Sequence, residues 1–200
     1  MIAIVDYGMG NLRSVQKACE YAGYEAVVTS QKQVIRDAGH IILPGVGAVR
    51  DAVESLKRRE LWETVIEQAN SGKPFLGICL GMQMLFERSL ENGTHECLGL
   101  IEGRVSAFQD CGLRIPHIGW NTLVSKENPL FKADEEQTVY FVHSYHAEGV
   151  PEKYVIARSD YGYPFVAAVC RDNIFGTQFH PEKSGETGIR MIRNFGGLKF

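Results

Sequence analysis

The chain has 200 residues, of which 44% are hydrophobic and 22% charged. That balance excludes a disordered, fibrous or membrane-spanning chain and allows a substantial core without cross-links. The formal net charge of -3 supplies no summed positive field to gather nucleic acid or anionic lipid. The MIAIVD start carries no basic segment followed by a long apolar one, and no apolar run of about 18 residues occurs, so a cytoplasmic protein is expected.

In chain order, residues 2–6 read as a buried strand. Residues 11–22 then carry Leu12, Val15, Ala18, Cys19 and Ala22 on one helical face, closed by Gly23. A second strand is expected over 25–29 and a third over 40–43, the latter ending in Pro44-Gly45-Val46-Gly47. Val49, Val53 and Leu56, then Leu61, Val65 and Ile66, recur at helical spacing. Residues 75–79 read as a strand, and Met82, Leu85 and Phe86 predict an amphipathic helix directly after it. This alternation predicts an α/β fold: a flavodoxin-like, mostly parallel sheet flanked by helices. Farther on, apolar runs at 105–108, 138–145, 154–157 and 165–170 are joined by turns, which predicts antiparallel additions to one edge. A strand over 174–180 and a helix over 187–195 close the chain. No Pro- or Ser-rich linker divides it, so a single domain over 1–200 is expected.

Five cysteines, at 19, 79, 97, 111 and 170, are odd in number and irregularly spaced, which argues against a disulfide framework and against a zinc site. Any one of them alone reads as a small buried hydrophobe. Cys79 has a distinctive context. Gly77-Ile78-Cys79-Leu80-Gly81 at a strand-to-helix junction has the form of a nucleophile elbow, with cysteine in place of serine and small neighbours where the backbone turns tightly. A sulfur at the start of a helix lies where the dipole and free N–H groups favour negative charge. The Leu80 N–H, one residue on, is placed to serve an oxyanion hole.

Thr177-Gln178-Phe179-His180-Pro181-Glu182 near the other end supplies two further parts. In an extended segment His180 and Glu182 share a face, and Pro181 pushes His180 toward the extended region. A histidine that takes a thiol proton needs a third group to fix its tautomer, and a neighbouring carboxylate can do this. The Pro44-Gly45-Val46-Gly47 turn lacks the phosphate-loop signature, as does Gly8-Met9-Gly10-Asn11-Leu12-Arg13, which also lacks the third glycine of a dinucleotide fingerprint. Glycines at 45 and 47 instead let backbone approach a substrate, which suits a second oxyanion donor.

With these residues the chain resembles the class I, triad-type glutamine amidotransferases over essentially its full length. Two stretches, Asp6-Tyr7-Gly8-Met9-Gly10-Asn11-Leu12-Arg13-Ser14-Val15 and Pro116-His117-Ile118-Gly119-Trp120-Asn121, further resemble those glutaminase subunits of the family that feed histidine biosynthesis. The resemblance implies Cys79 as nucleophile, His180 as proton shuttle and Glu182 as its orienter. It implies oxyanion donors at Val46 and Leu80, and a glutamine site of Gly45, Gln83, Glu91 and Ser144, with Glu91 near the far end of the helix that follows Cys79. It places Asn11, His117, Trp120, Tyr140 and Lys183 toward a (β/α)8-barrel cyclase subunit in a heterodimer, and implies no metal or cofactor. Val49 departs from the aromatic residue often found after Pro-Gly-Val-Gly. Rival readings are a glutaminase of anthranilate or pyridoxal phosphate synthesis, or a catalytically silent interaction module.

Overall fold

The structure is a computed structural model and describes residues 1–110, 112–132 and 137–200. Cys111 therefore lies outside the described residues. The first half alternates β1 (Ile2–Val5), α1 (Leu12–Tyr21), β2 (Ala26–Thr29), α2 (Lys32–Asp37), β3 (His40–Gly45), α3 (Val49–Arg58), α4 (Trp62–Ala69) and β4 (Phe75–Cys79). After α5 (Leu80–Gln83) come β5 (Arg88–Ser89), β6 (His95–Glu96), β7 (Arg104–Ala107), β8 (His117–Ser125), β9 (Gln137–His143), β10 (Tyr145–Glu148), β11 (Val155–Asp160), β12 (Pro164–Arg171), β13 (Ile174–Thr177) and α6 (Gly185–Gly196).

Strands run in the order β2-β1-β3-β4-β13-β12-β10-β7-β5-β6, with β11 against β12 and β8, and β9 against β8. From β2 to β13 every pairing is parallel, and β12 reverses the direction. This is the expected flavodoxin-like order with antiparallel additions. Alternate strand residues enter two cores. Val5, Leu43 and Phe75 pack with Val49, Leu56 and Val65 of α3 and α4. Ile4, Ile42 and Ile78 pack with Val15 and Cys19 of α1 and Ile192 and Phe195 of α6. A parallel sheet covered on both faces needs apolar residues of both parities, which is why these strands read as unbroken apolar runs. No helix among the described residues is long and apolar enough to cross a membrane.

Three local expectations differ from what is found, each because distant backbone competes for hydrogen bonds. The helix after Cys79 stops at Gln83, because the Leu85 carbonyl accepts from Leu100 and Ile101 and the Phe86 carbonyl from Gly99. Those carbonyls are then unavailable to a continuing helix, and Leu85 and Phe86 are buried in a loop. Glu91 accordingly lies beyond β5, not at a helix end. The strand expected over 138–145 breaks at Ser144, where the chain leaves its pairing with β8 for one with β7. The strand expected over 174–180 ends at Thr177: His180 N–H bonds the Tyr140 carbonyl of β9, and Pro181–Lys183 form a 3-10 turn. The short helix α2 and the length of β8 carried too little periodicity to be assigned beforehand.

Candidate active site

The site lies beyond the carboxyl ends of β3, β4 and β13, where open α/β sheets place their ligands. Cys79 ends β4 with φ 54 and ψ -107, a region that costs a non-glycine residue on the order of 1–3 kcal/mol and persists only where surroundings impose it. They do so here. Gly77 and Gly81 approach each other so closely that a Cβ on Gly77 would sit 2.6 Å from the Gly81 carbonyl oxygen. A Cβ on Gly81 would overlap the Leu43 carbonyl of the neighbouring strand. The tight turn leaves Cys79 in the wall of a cavity of about 400 Å³, lined also by Val46, Leu80, Gln83, Glu91, Ser144, His180 and Lys183.

His180 faces the same cavity, and its Nδ1 lies 2.8 Å from Glu182 Oε1. The i,i+2 pair meets because His180 is extended (φ -101, ψ 99) and the following 3-10 turn starts on Pro181, so Glu182 folds back rather than projecting along a strand. Burial opposes charging of the His180 ring, but the Cys79 sulfur and the Glu182 carboxylate outweigh it and push the imidazole up to about 9. Nε2, the nitrogen away from Glu182, has no hydrogen-bond partner among the described residues. This nitrogen is therefore open to take and deliver a proton. Tyr7 Oη donates to the Pro44 carbonyl at 2.8 Å; burial and then the nearby Cys79 push its hydroxyl far above the ordinary range, which keeps it a donor.

The remaining expected residues divide clearly. Gly45 pairs with Cys79 in the β3–β4 register, so Val46 and Leu80, each one residue beyond, are neighbours at the cavity wall. Gly45 itself is buried beneath them, with no room for a Cβ between Tyr7 Oη and Leu80, and does not line the cavity. Gln83 and Ser144 do. Glu91 Oε2 accepts the Val49 N–H at 2.8 Å, which ties this carboxylate to the start of α3, where the helix dipole favours negative charge. On the rim, Trp120 is 57% exposed and meets Tyr140 edge-on with ring centroids 5.9 Å apart; Lys183 Nζ lies 5.9 Å above the Tyr140 ring. Asn11 is half-buried just ahead of α1.

His117 was expected to face a partner, but the structure buries its side chain. It is 3% exposed, stacks on Tyr161 and Phe141 and bonds His143 at 3.0 Å. The alternation of β8 explains this, since the even-numbered residues Ile118 and Trp120 are the exposed ones. Two residues near the sulfur escaped sequence reasoning: His143 in the cavity wall, and the buried Gln178, whose Nε2 lies 3.7 Å from Cys79 Sγ. Gln178 stands two residues before His180, the same spacing that singled out Glu182 on the other side.

A cysteine on a strained elbow, an imidazole beside it and a buried carboxylate behind the imidazole are the parts that thiol-dependent acyl transfer requires. The chain belongs to the family "Glutamine amidotransferase class-I", whose sequence profile matches residues 3–197. It is 52% identical over 200 residues to the imidazole glycerol phosphate synthase subunit HisH of Sulfurimonas denitrificans, covering 98% of this chain and 97% of that one. It is 48% identical over 206 residues to the HisH subunit of Syntrophotalea carbinolica, covering 99% and 100%. A solved glutamine amidotransferase, 19% identical, superposes with a TM-score of 0.78 over 99% of this chain and 100% of its own length.

Proposed function

We propose that this chain is the glutaminase subunit of an imidazole glycerol phosphate synthase. Cys79 gives its proton to His180 as Sγ attacks the side-chain amide carbon of glutamine; His180 passes that proton to the departing nitrogen, the C–N bond breaks, and ammonia leaves a glutamyl thioester. Water, deprotonated by His180, then attacks the thioester carbon; the S–C bond breaks, sulfur recovers a proton and glutamate is released. Val46 and Leu80 N–H groups stabilise the oxyanion, and Gln83, Glu91 and Ser144 hold the substrate, with Glu91 placed to pair with its ammonium group. Glu182 orients His180 throughout.

The observation that carries this reading is Cys79, held at positive φ in the cavity wall, opposite a histidine whose other nitrogen is bound to a buried carboxylate. Free ammonia in water would mostly protonate and be lost, so the product must pass directly to an acceptor site. The exposed Trp120 and half-buried Tyr140, with Lys183 at the cavity rim, support docking of a (β/α)8-barrel cyclase there, as a heterodimer. Cys79→Ala tests the assignment in that complex. Glutamine-dependent synthesis is expected to vanish while ammonia-dependent synthesis remains; loss of both overturns it.

A further inference from the structure

The Cys79 sulfur has a polar neighbour outside the triad. Gln178 is fully buried, and its side-chain amide approaches Cys79 Sγ at 3.7 Å. Amide nitrogen and oxygen have nearly the same shape, so the surrounding network must decide which atom faces sulfur. Gln83 decides it. One side-chain atom of Gln83 lies 3.1 Å from the Tyr145 carbonyl oxygen and 3.1 Å from the Gln178 amide. A carbonyl oxygen can only accept, so that Gln83 atom is its NH2 group, and its second N–H requires an oxygen from Gln178. The Gln178 NH2 is left on the sulfur.

The Tyr145 carbonyl is itself held in place. His143 Nδ1 lies 2.8 Å from it, which makes that nitrogen the donor and Nε2 an acceptor. His117 Nδ1, 3.0 Å from His143 Nε2, must then donate, and His117 Nε2 accepts from Asn121 Nδ2 at 3.4 Å. Each ring has one donor and one acceptor, as a neutral imidazole does. Burial lowers His117 to about 4 and, with smaller opposing and assisting contacts, His143 to about 3. Every hydrogen in the series from Asn121 to the sulfur has a determined direction.

We infer that Gln178 is a further functional residue of the site, whose amide N–H donates to the Cys79 sulfur and stabilises its negative charge as it attacks glutamine and as it leaves the thioester. The inference rests on the glutaminase reading. The Val142 carbonyl, 3.9 Å from the sulfur, is an acceptor: it suits a neutral S–H and opposes an anionic sulfur. A buried anion without a donor is costly, and a hydrogen bond to a charged atom is about twice as strong as a neutral one. Gln178 moves no proton; His180 does that.

The test is alkylation of the full-length chain with iodoacetamide, in which a C–S bond forms and iodide leaves, followed by mass spectrometry of the Cys79 and Cys170 peptides. Gln178→Glu retains shape and an acceptor for Gln83 but puts oxygen on the sulfur. Gln178→Met retains volume without a donor and introduces no buried charge, so it folds where the Glu variant fails. Alkylation of Cys79 is expected to slow about tenfold in Gln178→Met and further in Gln178→Glu, with Cys170 unchanged. Glutamine turnover in the complex is expected to fall in kcat by a similar factor, with KM within about twofold, a split that general loosening of the pocket would not produce. Gln178→Met at the wild-type alkylation rate and kcat overturns the role of Gln178 alone. A wild-type Cys79 no more reactive than Cys170 overturns the glutaminase reading with it.

Discussion

His180 Nδ1 and Glu182 Oε1 lie 2.8 Å apart in side chains that are 2% and 1% exposed. A bond so well shielded fixes the tautomer: with Nδ1 committed to the carboxylate, Nε2 is the nitrogen available to the sulfur side. Glu182→Gln keeps the shape but can offer an N–H to Nδ1 and so invert the imidazole. Glutamine turnover by the complex is expected to fall by up to roughly 10⁴-fold, the loss seen when a triad carboxylate becomes an amide, while ammonia-dependent synthesis is unaffected. Steady-state kinetics with each nitrogen source checks this, and turnover within a factor of ten of wild type would rule out Glu182 as orienter.

Stability should fall on both sides of neutrality, through different histidines. His180 is raised to about 9, so its contribution is fully present below the unfolded value of about 6.5 and is lost as pH rises through 9. His143 is lowered to about 3 by burial; the unfolded chain binds its proton below about 6.5 and the folded chain does not. Stability is therefore lost as pH falls from about 6.5 toward 3, and His143 alone costs about 2 kcal/mol at pH 5. His117 and His146, also lowered by burial, act in the same direction. Thermal unfolding between pH 5 and 6.5, where His180 is protonated in both states, is expected to show a midpoint that drops with acidification and a shallower slope in His143→Gln. An unchanged slope in that variant would mean that the ring is protonated in the folded protein.

The parts legible in the sequence are those with local causes. Residues 75–79 are apolar at both parities because the strand is covered on both faces, and Gly77 and Gly81 are dictated by a turn that leaves no space for a Cβ. Cys79, His180 and Glu182 could be named because each sits in a short motif, and the chain brings Cys79 and His180 to one cavity with Glu182 bound to His180 Nδ1. What was not legible depends on distant partners. The helix after Cys79 is cut short by N–H groups of residues 99–101, so Glu91 comes to the site from a loop and is held by the Val49 N–H. Residue spacing put His117 in a β region but could not tell which face of β8 is covered, since that depends on Phe141 and Tyr161. Gln178 shares a motif with His180, but its meaning comes from Gln83 and the Tyr145 carbonyl, which the motif does not contain.

The elbow itself makes the last prediction. Cys79 is held in an unfavourable backbone region because α5 turns back so sharply that Gly81 rests on the Leu43 carbonyl of β3, with no space between them for a side chain. The obstructing atom is backbone in a central strand, so it cannot rotate away as a flexible side chain could. Gly81→Ala must either push α5 off the sheet or unseat the end of β3, and both movements shift Cys79 and the Gly45–Val46 peptide together, since Gly45 is its register partner. The expected cost is large for a one-carbon change, about 3–5 kcal/mol, with glutamine turnover lost even where the chain still folds. Gly39→Ala is the control: a Cβ there would meet only the Met1 carbonyl at 4.0 Å, and its cost should stay within about 1 kcal/mol. Urea unfolding of the two variants measures the contrast, and equal stabilities would show that α5 has freedom to move and that the Cys79 backbone is not held in place by Gly81.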